Sequence, residues 1–249
     1  MFGGYATFWL FSLFDLDPFL SLPLTIIFLL LIGVVLYQLL FVRMVKLPEE
    51  EKIKNTMLIG FGLTLIFQNI ALSLWTANDR GVTPSYAGEA FTWLGVRFPY
   101  VRVAGLVISL VCLFALQQFL RKTYIGKAIR ATAEDWEAAS LVGIDVKKVY
   151  LLAFLLGTAL AGVAGTLVLV SYSVSPSIGL HWTLKSLIVM VLGGVGNFMG
   201  TFVGGILLGA TESATAFFIS GNYREVVGLI LFLLILIFRP QGLFGVKER

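Results

Sequence analysis

The chain has 249 residues, of which 58% are hydrophobic and 13% are charged, and its mean hydropathy is +0.94. A soluble domain of this length could not bury so much apolar surface, so the composition excludes a soluble protein and indicates a membrane protein. The formal net charge is +4, but the basic residues flank apolar segments and form no single stripe, which argues against a nucleic-acid partner.

The first apolar segment, residues 2–14, is too short to cross a bilayer and is closed by Asp15 and Asp17. No Lys or Arg occurs before Arg43, so the basic start of a secretory signal peptide is missing. We expect that the chain starts inside a span and that an amino-terminal piece is missing.

Uncharged segments predict the membrane-spanning helices, each of which needs roughly 20 apolar residues. Five such segments are residues 20–42, 57–75, 103–120, 149–170 and 187–211. A sixth segment, residues 226–238, is too short unless its helix begins earlier. The fold class predicted from these segments is an all-α polytopic bundle of about 6 to 8 spans that forms one membrane domain over residues 1–249.

The distribution of Lys and Arg predicts the orientation of these spans. If successive spans cross the membrane in opposite directions, 13 basic residues lie on one side of the membrane and 5 lie on the other. The 13 are in segments 43–54, 121–148 and 239–249. By the positive-inside rule the first side is cytoplasmic, so we expect a cytoplasmic carboxyl terminus and place residues 76–102 and 171–185 outside.

Clustered glycines interrupt the fifth segment at residues 193–197, whose sequence is Gly-Gly-Val-Gly-Asn. If the flanking spans are to keep their sides, residues 184–211 must return to the side on which they began, so the glycines predict a broken helical hairpin or a re-entrant loop. Stripes of small residues predict close helix packing in and around this region. The residues expected to pack are Gly157, Ala161, Gly165, Gly193, Gly194, Gly196, Gly200 and Gly204.

The longest basic loop, residues 121–148, is predicted to contain an amphipathic helix over residues 125–143. Gly143 suits the end of that helix. On this pattern alone, a helix resting on the membrane surface is the simpler interpretation. The apolar face would consist of Ile125, Ile129, Ala133, Trp136 and Ser140.

The same loop contains Glu137-Ala138-Ala139 followed by Gly143, which matches the EAA-x-x-x-G signature of permease subunits of ATP-binding-cassette (ABC) importers. Small alanines let a partner approach closely, and the glycine permits a sharp exit into the next span. Further stretches extend the likeness: residues 125–144, 157–165 (GTALAGVAG), 191–209 (VLGGVGNFMGTFVGGILLG) and 239–245 (RPQGLFG). From about Tyr124 onward, the chain resembles branched-chain amino acid ABC transporter permeases of the LivH type.

This resemblance implies a multi-pass permease subunit in the cytoplasmic membrane of a bacterium or archaeon, importing a branched-chain amino acid by alternating access. It implies three protein partners, namely ABC ATPase subunits, a second homologous permease and an extracytoplasmic substrate-binding protein. Membrane lipid is a further partner of the chain. Family members usually have a first span and an Asn-Phe-Ala-His-Gly-like segment that this chain lacks before Gly3-Gly4-Tyr5-Ala6. Residues 121–148, called the coupling loop below, would meet the ATPase through Arg130, Ala131, Glu137, Ala138, Ala139 and Gly143.

We do not expect the chain to be an enzyme, because it has no phosphate-binding loop and ATP hydrolysis would take place on a separate subunit. An intramembrane protease would need catalytic serine or paired acidic residues in its spans, and no such set is apparent. No cofactor and no metal site are expected, and the single cysteine, Cys112, excludes a cysteine-cluster site.

The cargo and the energy source leave alternatives open. Urea and short amides are alternative cargoes, and a proton-coupled secondary transporter could use Glu212 as a carboxylate at membrane depth. No charged pair is evident that would hold the ammonium and carboxylate of an amino acid, so the substrate-binding residues are unknown. Gln68 and Asn69 are the best polar candidates within a span, and hydrogen bonds between helices explain them equally well.

Overall fold

The computed structural model describes residues 1–42, 49–93, 95–239 and 241–245. Part of the orientation argument falls on residues outside these ranges, namely Arg43, Lys46, Lys247 and Arg249. The chain forms two compact units, Met1–Ile178 and Gly179–Arg249, and each is described by itself. The single domain over residues 1–249 remains a prediction.

The described residues are mostly helical, because in a bilayer a helix satisfies its own backbone hydrogen bonds. The first unit contains α1 (Phe2–Phe14), α2 (Leu22–Leu36, extended by a π-helical turn at Tyr37–Phe41), α3 (Glu49–Trp75), α4 (Tyr100–Lys122), α5 (Tyr124–Glu134), α6 (Trp136–Leu141) and α7 (Val146–Ser171). The helix α8 (Ile178–Gly193) starts at the last residue of the first unit. It is followed by α9 (Phe198–Phe218), a 3-10 turn at Gly221–Tyr223 and α10 (Arg224–Phe238).

Among the described residues, six helices are long and apolar enough to cross a membrane. They are Leu22–Phe41, Glu51–Trp75, Tyr100–Lys122, Val146–Ser171, Phe198–Phe218 and Gly221–Phe238. The prediction of an all-α polytopic bundle is confirmed. The last helix reaches 18 residues because it begins at Gly221, ahead of the apolar run 226–238 from which it was predicted.

A short β-hairpin interrupts the helical pattern between α3 and α4. Its strands, β1 (Ala90–Trp93) and β2 (Val96–Pro99), pair antiparallel, with Phe91 opposite Phe98 and the two rings stacked at 5.3 Å. The all-α prediction did not include these strands, since the segment carries too short an alternating pattern to indicate a hairpin.

The core of the first unit is a close packing of α1, α2 and α7. Gly3 of α1 lies so near α7 that a Cβ atom on it would come within 2.8 Å of the Gly162 carbonyl oxygen. Beside this contact, the hydroxyl of Thr7 lies 3.1 Å from that of Thr25 and 2.7 Å from that of Thr166, all in fully buried side chains. Small residues and shared hydroxyl bonds are typical of helix packing in membranes.

In the second unit, α8 and α9 form a hairpin that turns at residues 194–197. The turn brings Gly193 against Gly200, and no Cβ atom could be added to either residue without overlapping the other's backbone. Against α9 lies α10, where a Cβ on Gly228 would lie 3.1 Å from Leu208 and 3.5 Å from the Glu212 carboxylate. The prediction of a glycine-broken hairpin over residues 184–211 is confirmed, with α9 alone long enough to span.

Candidate functional site

The coupling loop begins with a sharp reversal between α4 and α5. Thr123 sits at the junction in an extended conformation, and its hydroxyl oxygen accepts a hydrogen bond of 3.0 Å from the Gly126 backbone N–H. Gly126 is packed against the backbone of Phe119 and Leu120, where a side chain would overlap. Threonine as the N-cap and glycine at the close approach explain why the chain can turn here.

A second break divides the predicted 125–143 helix into α5 and α6. Asp135 has extended backbone angles, and its carboxylate accepts hydrogen bonds of 2.9 Å from the backbone N–H groups of Glu137 and Ala138. Aspartate favours such N-cap geometry over a place inside a helix, because its oxygen satisfies the free N–H groups of the next turn. The single continuous helix was therefore a wrong prediction.

The end of α6 is set by Gly143, which adopts a left-handed conformation with φ of 88°. The Gly143 N–H donates to the Ser140 carbonyl at 3.1 Å, and the Ile144 N–H donates to the Ala139 carbonyl at 3.1 Å. A residue with a side chain would be strained at this φ, whereas glycine adopts it freely. The left-handed backbone conformation therefore explains why the EAA-x-x-x-G string has a glycine at this position.

Asp145 then starts α7. Its carboxylate accepts a 3.3 Å hydrogen bond from the Lys148 backbone N–H and lies 3.2 Å from the Lys148 ammonium. The hydrogen bond from the Lys148 backbone is the main cause that lowers the pKa of Asp145 below its ordinary value. Capped in this way, α7 continues from the coupling loop into the membrane.

The coupling loop exposes part of the signature string and buries another part. Ala139 is buried, whereas Glu137 and Ala138 are exposed, and so are Arg130 and Ala131. The buried residues of α5 are Gly126, Ala128 and Thr132, whereas Ile125, Ala133 and, on α6, Ser140 are exposed. The residues that pack inside the chain are therefore not those of the predicted apolar face.

Two apolar residues of the coupling loop were missed by the sequence reasoning. Leu141 is 88% exposed and Val142 is 79% exposed, directly after the EAA string and before Gly143. They place two exposed apolar side chains directly after the exposed Glu137 and Ala138 and the buried Ala139. The signal available in the sequence was an apolar pair adjacent to a helix-ending glycine.

A second cluster of family-like residues assembles at the tip of the α8–α9 hairpin. The backbone N–H groups of Leu243 and Phe244 donate to the carbonyls of Leu192 and Gly193 at 2.8 and 3.2 Å, and the Asn197 side-chain amide donates to the Phe244 carbonyl at 2.9 Å. Stretches 191–209 and 239–245, which are far apart in sequence, therefore meet at one place.

The glycines of this tip are used in different ways. Gly194 has a φ of 96°, and a Cβ on it would lie 2.6 Å from the Gly245 nitrogen, so both its conformation and its surroundings require glycine. Gly204 packs on α8, with a Cβ position 3.0 Å from the Val189 carbonyl oxygen. Gly196 turns the chain with a φ of 82°, and no described atom lies within 4 Å of its Cβ position.

The stripe predicted on α7 divides into a packed and an open part. Gly165 faces α1, where its Cβ position is 2.8 Å from the Gly4 nitrogen. Gly157 and Ala161 are exposed, and around Gly157 no described atom lies within 4 Å of a Cβ position. The neighbouring Gly162 supplies the contact with α1 instead, one position away from the predicted stripe.

Two of the three polar candidates within the spans, Asn69 and Glu212, have partners inside the chain. The Asn69 amide donates to the Leu65 carbonyl of its own helix at 2.8 Å, and Gln68 is half-buried. Glu212, the carboxylate named for a proton-coupled mechanism, forms an ion pair with Lys185 at 2.9 Å. The hairpin thus joins two charges that are far apart in sequence, and the prediction that no charged pair holds the ammonium and carboxylate of an amino acid stays a prediction.

The sequence profile of the family described as "Branched-chain amino acid transport system / permease component" matches residues 1–237. The chain belongs to this family. The predicted relationship to LivH-type permeases is confirmed. No solved structure matches the chain.

Three curated relatives place the chain within the family. It is 31% identical to the high-affinity branched-chain amino acid transport permease BraD of Pseudomonas aeruginosa, over 76% of this chain and 63% of BraD. It is 38% identical to LivH of Escherichia coli K12, over 57% of this chain and 46% of that protein. A Methanocaldococcus jannaschii protein named "Probable branched-chain amino acid transport permease protein LivH" is 28% identical, over 98% of this chain and 80% of the relative. The chain thus spans less than two thirds of BraD and about half of the bacterial LivH.

Proposed function

We propose that this chain is the membrane permease subunit of an ATP-driven importer for branched-chain amino acids, working by alternating access. The observation that supports it most is the coupling loop, in which two capped helices present Glu137 and Ala138 beside exposed Leu141 and Val142. Membership of the permease family supports the transport role, and the names of BraD and LivH support the cargo. Urea and short amides are the alternative cargoes.

The proposal includes partners and an orientation. ATPase subunits bind the coupling loop on the cytoplasmic side, where Arg130, Ala131, Glu137 and Ala138 are available to them, and they hydrolyse ATP. A second homologous permease and an extracytoplasmic substrate-binding protein complete the importer in the cytoplasmic membrane. The carboxyl terminus is cytoplasmic, as the positive-inside rule predicts.

Coupling in this proposal is mechanical. ATP-driven closure of the ATPases moves the coupling loop, and the loop moves the helices joined to it, so that a central site faces one side and then the other. Thr123 and Gly143 lie at the two sharp backbone turns that flank α5 and α6. Between these turns, α5 and α6 can transmit force as short capped helices.

Crosslinking tests the docking step directly. Because Cys112 is the single cysteine, Cys112→Ala gives a cysteine-free parent into which Ala138→Cys, Glu137→Cys or Leu141→Cys is introduced singly. Each should crosslink to the co-expressed cognate ATPase subunit with benzophenone-4-maleimide, whose maleimide reacts with the introduced thiol and whose photoactivated benzophenone inserts into a C–H bond of the ATPase. Ser177→Cys, an exposed position assigned to the outer side, is the matched control and should not crosslink.

The proposal fails if none of the three coupling-loop cysteines crosslinks while each is labelled by maleimide. Uptake of radiolabelled leucine, with urea and acetamide as competitors, tests the cargo. Uptake that persists without the ATPase and collapses with the proton gradient would support secondary transport instead.

A further inference from the structure

Helix α3 is held against the rest of the first unit near its two ends. Near its carboxyl end, Ala71 is fully buried and the Trp75 ring stacks on Tyr5 of α1 with 4.2 Å between ring centroids. Phe2 of α1 adds edge contacts to Trp75 and to Phe67, at 5.9 and 5.0 Å. The carboxyl-terminal part of α3 is therefore attached to α1 by an aromatic cluster.

The middle of α3 is open by comparison. Phe61 is 65% exposed and Leu65 is 45% exposed. At Gly60 and Gly62, no described atom lies within 4 Å of a Cβ position. A helix that is attached at its ends and open between them can tilt as a rigid rod when one attachment moves.

The other attachment of α3 is Lys52, in the first turn of the helix. Its ammonium nitrogen lies 4.8 Å from the centroid of the Trp136 ring and 5.3 Å from the centroid of the Tyr150 ring. Trp136 is the first residue of α6, and Tyr150 lies in the second turn of α7. One cation therefore joins α3 to two elements of the coupling region through the faces of two aromatic rings, an interaction that favours a charged group.

We propose that Lys52 is a positioning residue that transmits movement of the coupling loop to α3. The inference rests on the proposed function, because it needs a partner that moves α6. Helix α7 follows α6 after only four residues and moves with it through the backbone. For α3, which comes from a distant part of the sequence, the contact of Lys52 with Trp136 provides the corresponding link, and α3 tilts about its stacked Trp75 end.

The experiment separates transmission from assembly. Lys52→Met keeps the aliphatic stem and removes the charge, while Lys52→Arg keeps a cation that can lie over both rings. In proteoliposomes containing the whole importer, we measure leucine uptake and ATP hydrolysis together, with Arg102→Met, which removes an exposed cation in the first turn of α4 and outside the coupling loop, as the matched control. Crosslinking through Ala138→Cys reports docking in every variant.

Lys52→Met should keep the Ala138 crosslink and ATP hydrolysis. It should lower the leucine imported per ATP by about fivefold, which is the size of effect expected from the loss of one cation–π interaction. Lys52→Arg should restore most of the leucine imported per ATP, and Arg102→Met should leave that ratio unchanged. If Lys52→Met does not fold, Trp136→Leu, which removes one ring and keeps the lysine, should show the same loss.

Unchanged transport per ATP in Lys52→Met, or equal loss in the Met and Arg variants, overturns the inference while the docking proposal stands. Absence of the Ala138 crosslink in the parent protein overturns both. A loss in which uptake and ATP hydrolysis fall together, in proportion to folded protein, assigns Lys52 to stability alone and also overturns the inference.

Discussion

Lys185 of α8 and Glu212 of α9 face each other across the hairpin, with 2.9 Å between the ammonium nitrogen and a carboxylate oxygen. Their side chains are 19% and 14% exposed. Lys185 lies about 10 Å along α8 from its first residue, at 1.5 Å per residue. The Trp182 ring, 5.5 Å from the ammonium, covers it further. Pairing lets two charges lie inside an apolar hairpin, where either one alone would be costly.

This ion pair predicts a specific pattern of double variants. Glu212→Gln and Lys185→Met should each destabilise the second unit by about 3 kcal/mol, because one buried charge is left without a partner. The exchanged pair Lys185→Glu with Glu212→Lys, and the neutral pair Lys185→Met with Glu212→Leu, should both recover much of that loss. The measurement is the temperature at which half of the protein in detergent loses its monodisperse peak in size-exclusion chromatography.

The same variants test the proton-coupled alternative. If Glu212 serves only the ion pair, ATP-driven uptake by the neutral double variant should follow the amount of folded protein. Single variants as stable as the parent would contradict the ion-pair interpretation. Normal stability of the neutral pair together with loss of uptake would favour a role of Glu212 in transport.

From the packing at the hairpin tip, we expect alanine substitutions at two glycines of α9 to differ in their effect on stability. Gly200→Ala should destabilise the hairpin by about 1 to 3 kcal/mol, since its Cβ would overlap the Gly193 carbonyl and the helices would have to separate. Gly209→Ala is the matched control on the same helix, because no described atom lies within 4 Å of its Cβ position. Thermal stability in detergent, compared for the two variants, checks this directly, and equal melting temperatures would refute the close packing.

A similar contrast exists on α7. Gly165→Ala should cost about 1 to 3 kcal/mol because its Cβ would press on the backbone of Gly3 and Gly4. Gly157→Ala should be neutral or stabilise the isolated subunit by up to about 1 kcal/mol, since alanine favours the helix and the position is open. The readout is again the melting temperature in detergent.

Transport gives Gly157 a second test. Normal stability of Gly157→Ala with reduced uptake in the assembled importer would assign this glycine to a contact with another subunit. A large loss of stability in the isolated chain would contradict the open surroundings of Gly157.

Much of the fold follows from two properties that are local in sequence. The length of the uncharged segments predicted the spans, because a helix needs roughly 20 apolar residues to cross a bilayer. Clustered glycines predicted the hairpin turn at residues 193–197, because they break a helix. The beginning of the last helix at Gly221 was indicated only by the shortness of residues 226–238, since polar residues of its first turn hide the start.

The features that were missed depend on side chains that compete for backbone hydrogen bonds, or on contacts between residues that are far apart in sequence. Apolar periodicity continues through Asp135, so the pattern could not show that this carboxylate captures backbone N–H groups and ends α5. Lys185 and Glu212 lie on different helices, and their register is set by packing at Gly193 and Gly200. Lys52 was interpreted only as a topology signal, because nothing in the sequence places it beside Trp136.

The last prediction concerns Asp135, which lies at the break between α5 and α6. Asp135→Ala should weaken α6 by about 1 kcal/mol, because the N–H groups of Glu137 and Ala138 lose their acceptor, whereas Asp135→Asn keeps an acceptor and should retain most of the helix. In the cysteine-free background, the rate at which Ala138→Cys reacts with a small maleimide should not change, since this residue is already exposed. Ala139→Cys, buried in the capped helix, should become more reactive in Asp135→Ala than in Asp135→Asn. Equal reactivity of Ala139→Cys in the two backgrounds would show that the exposed surface of the coupling loop does not depend on this cap.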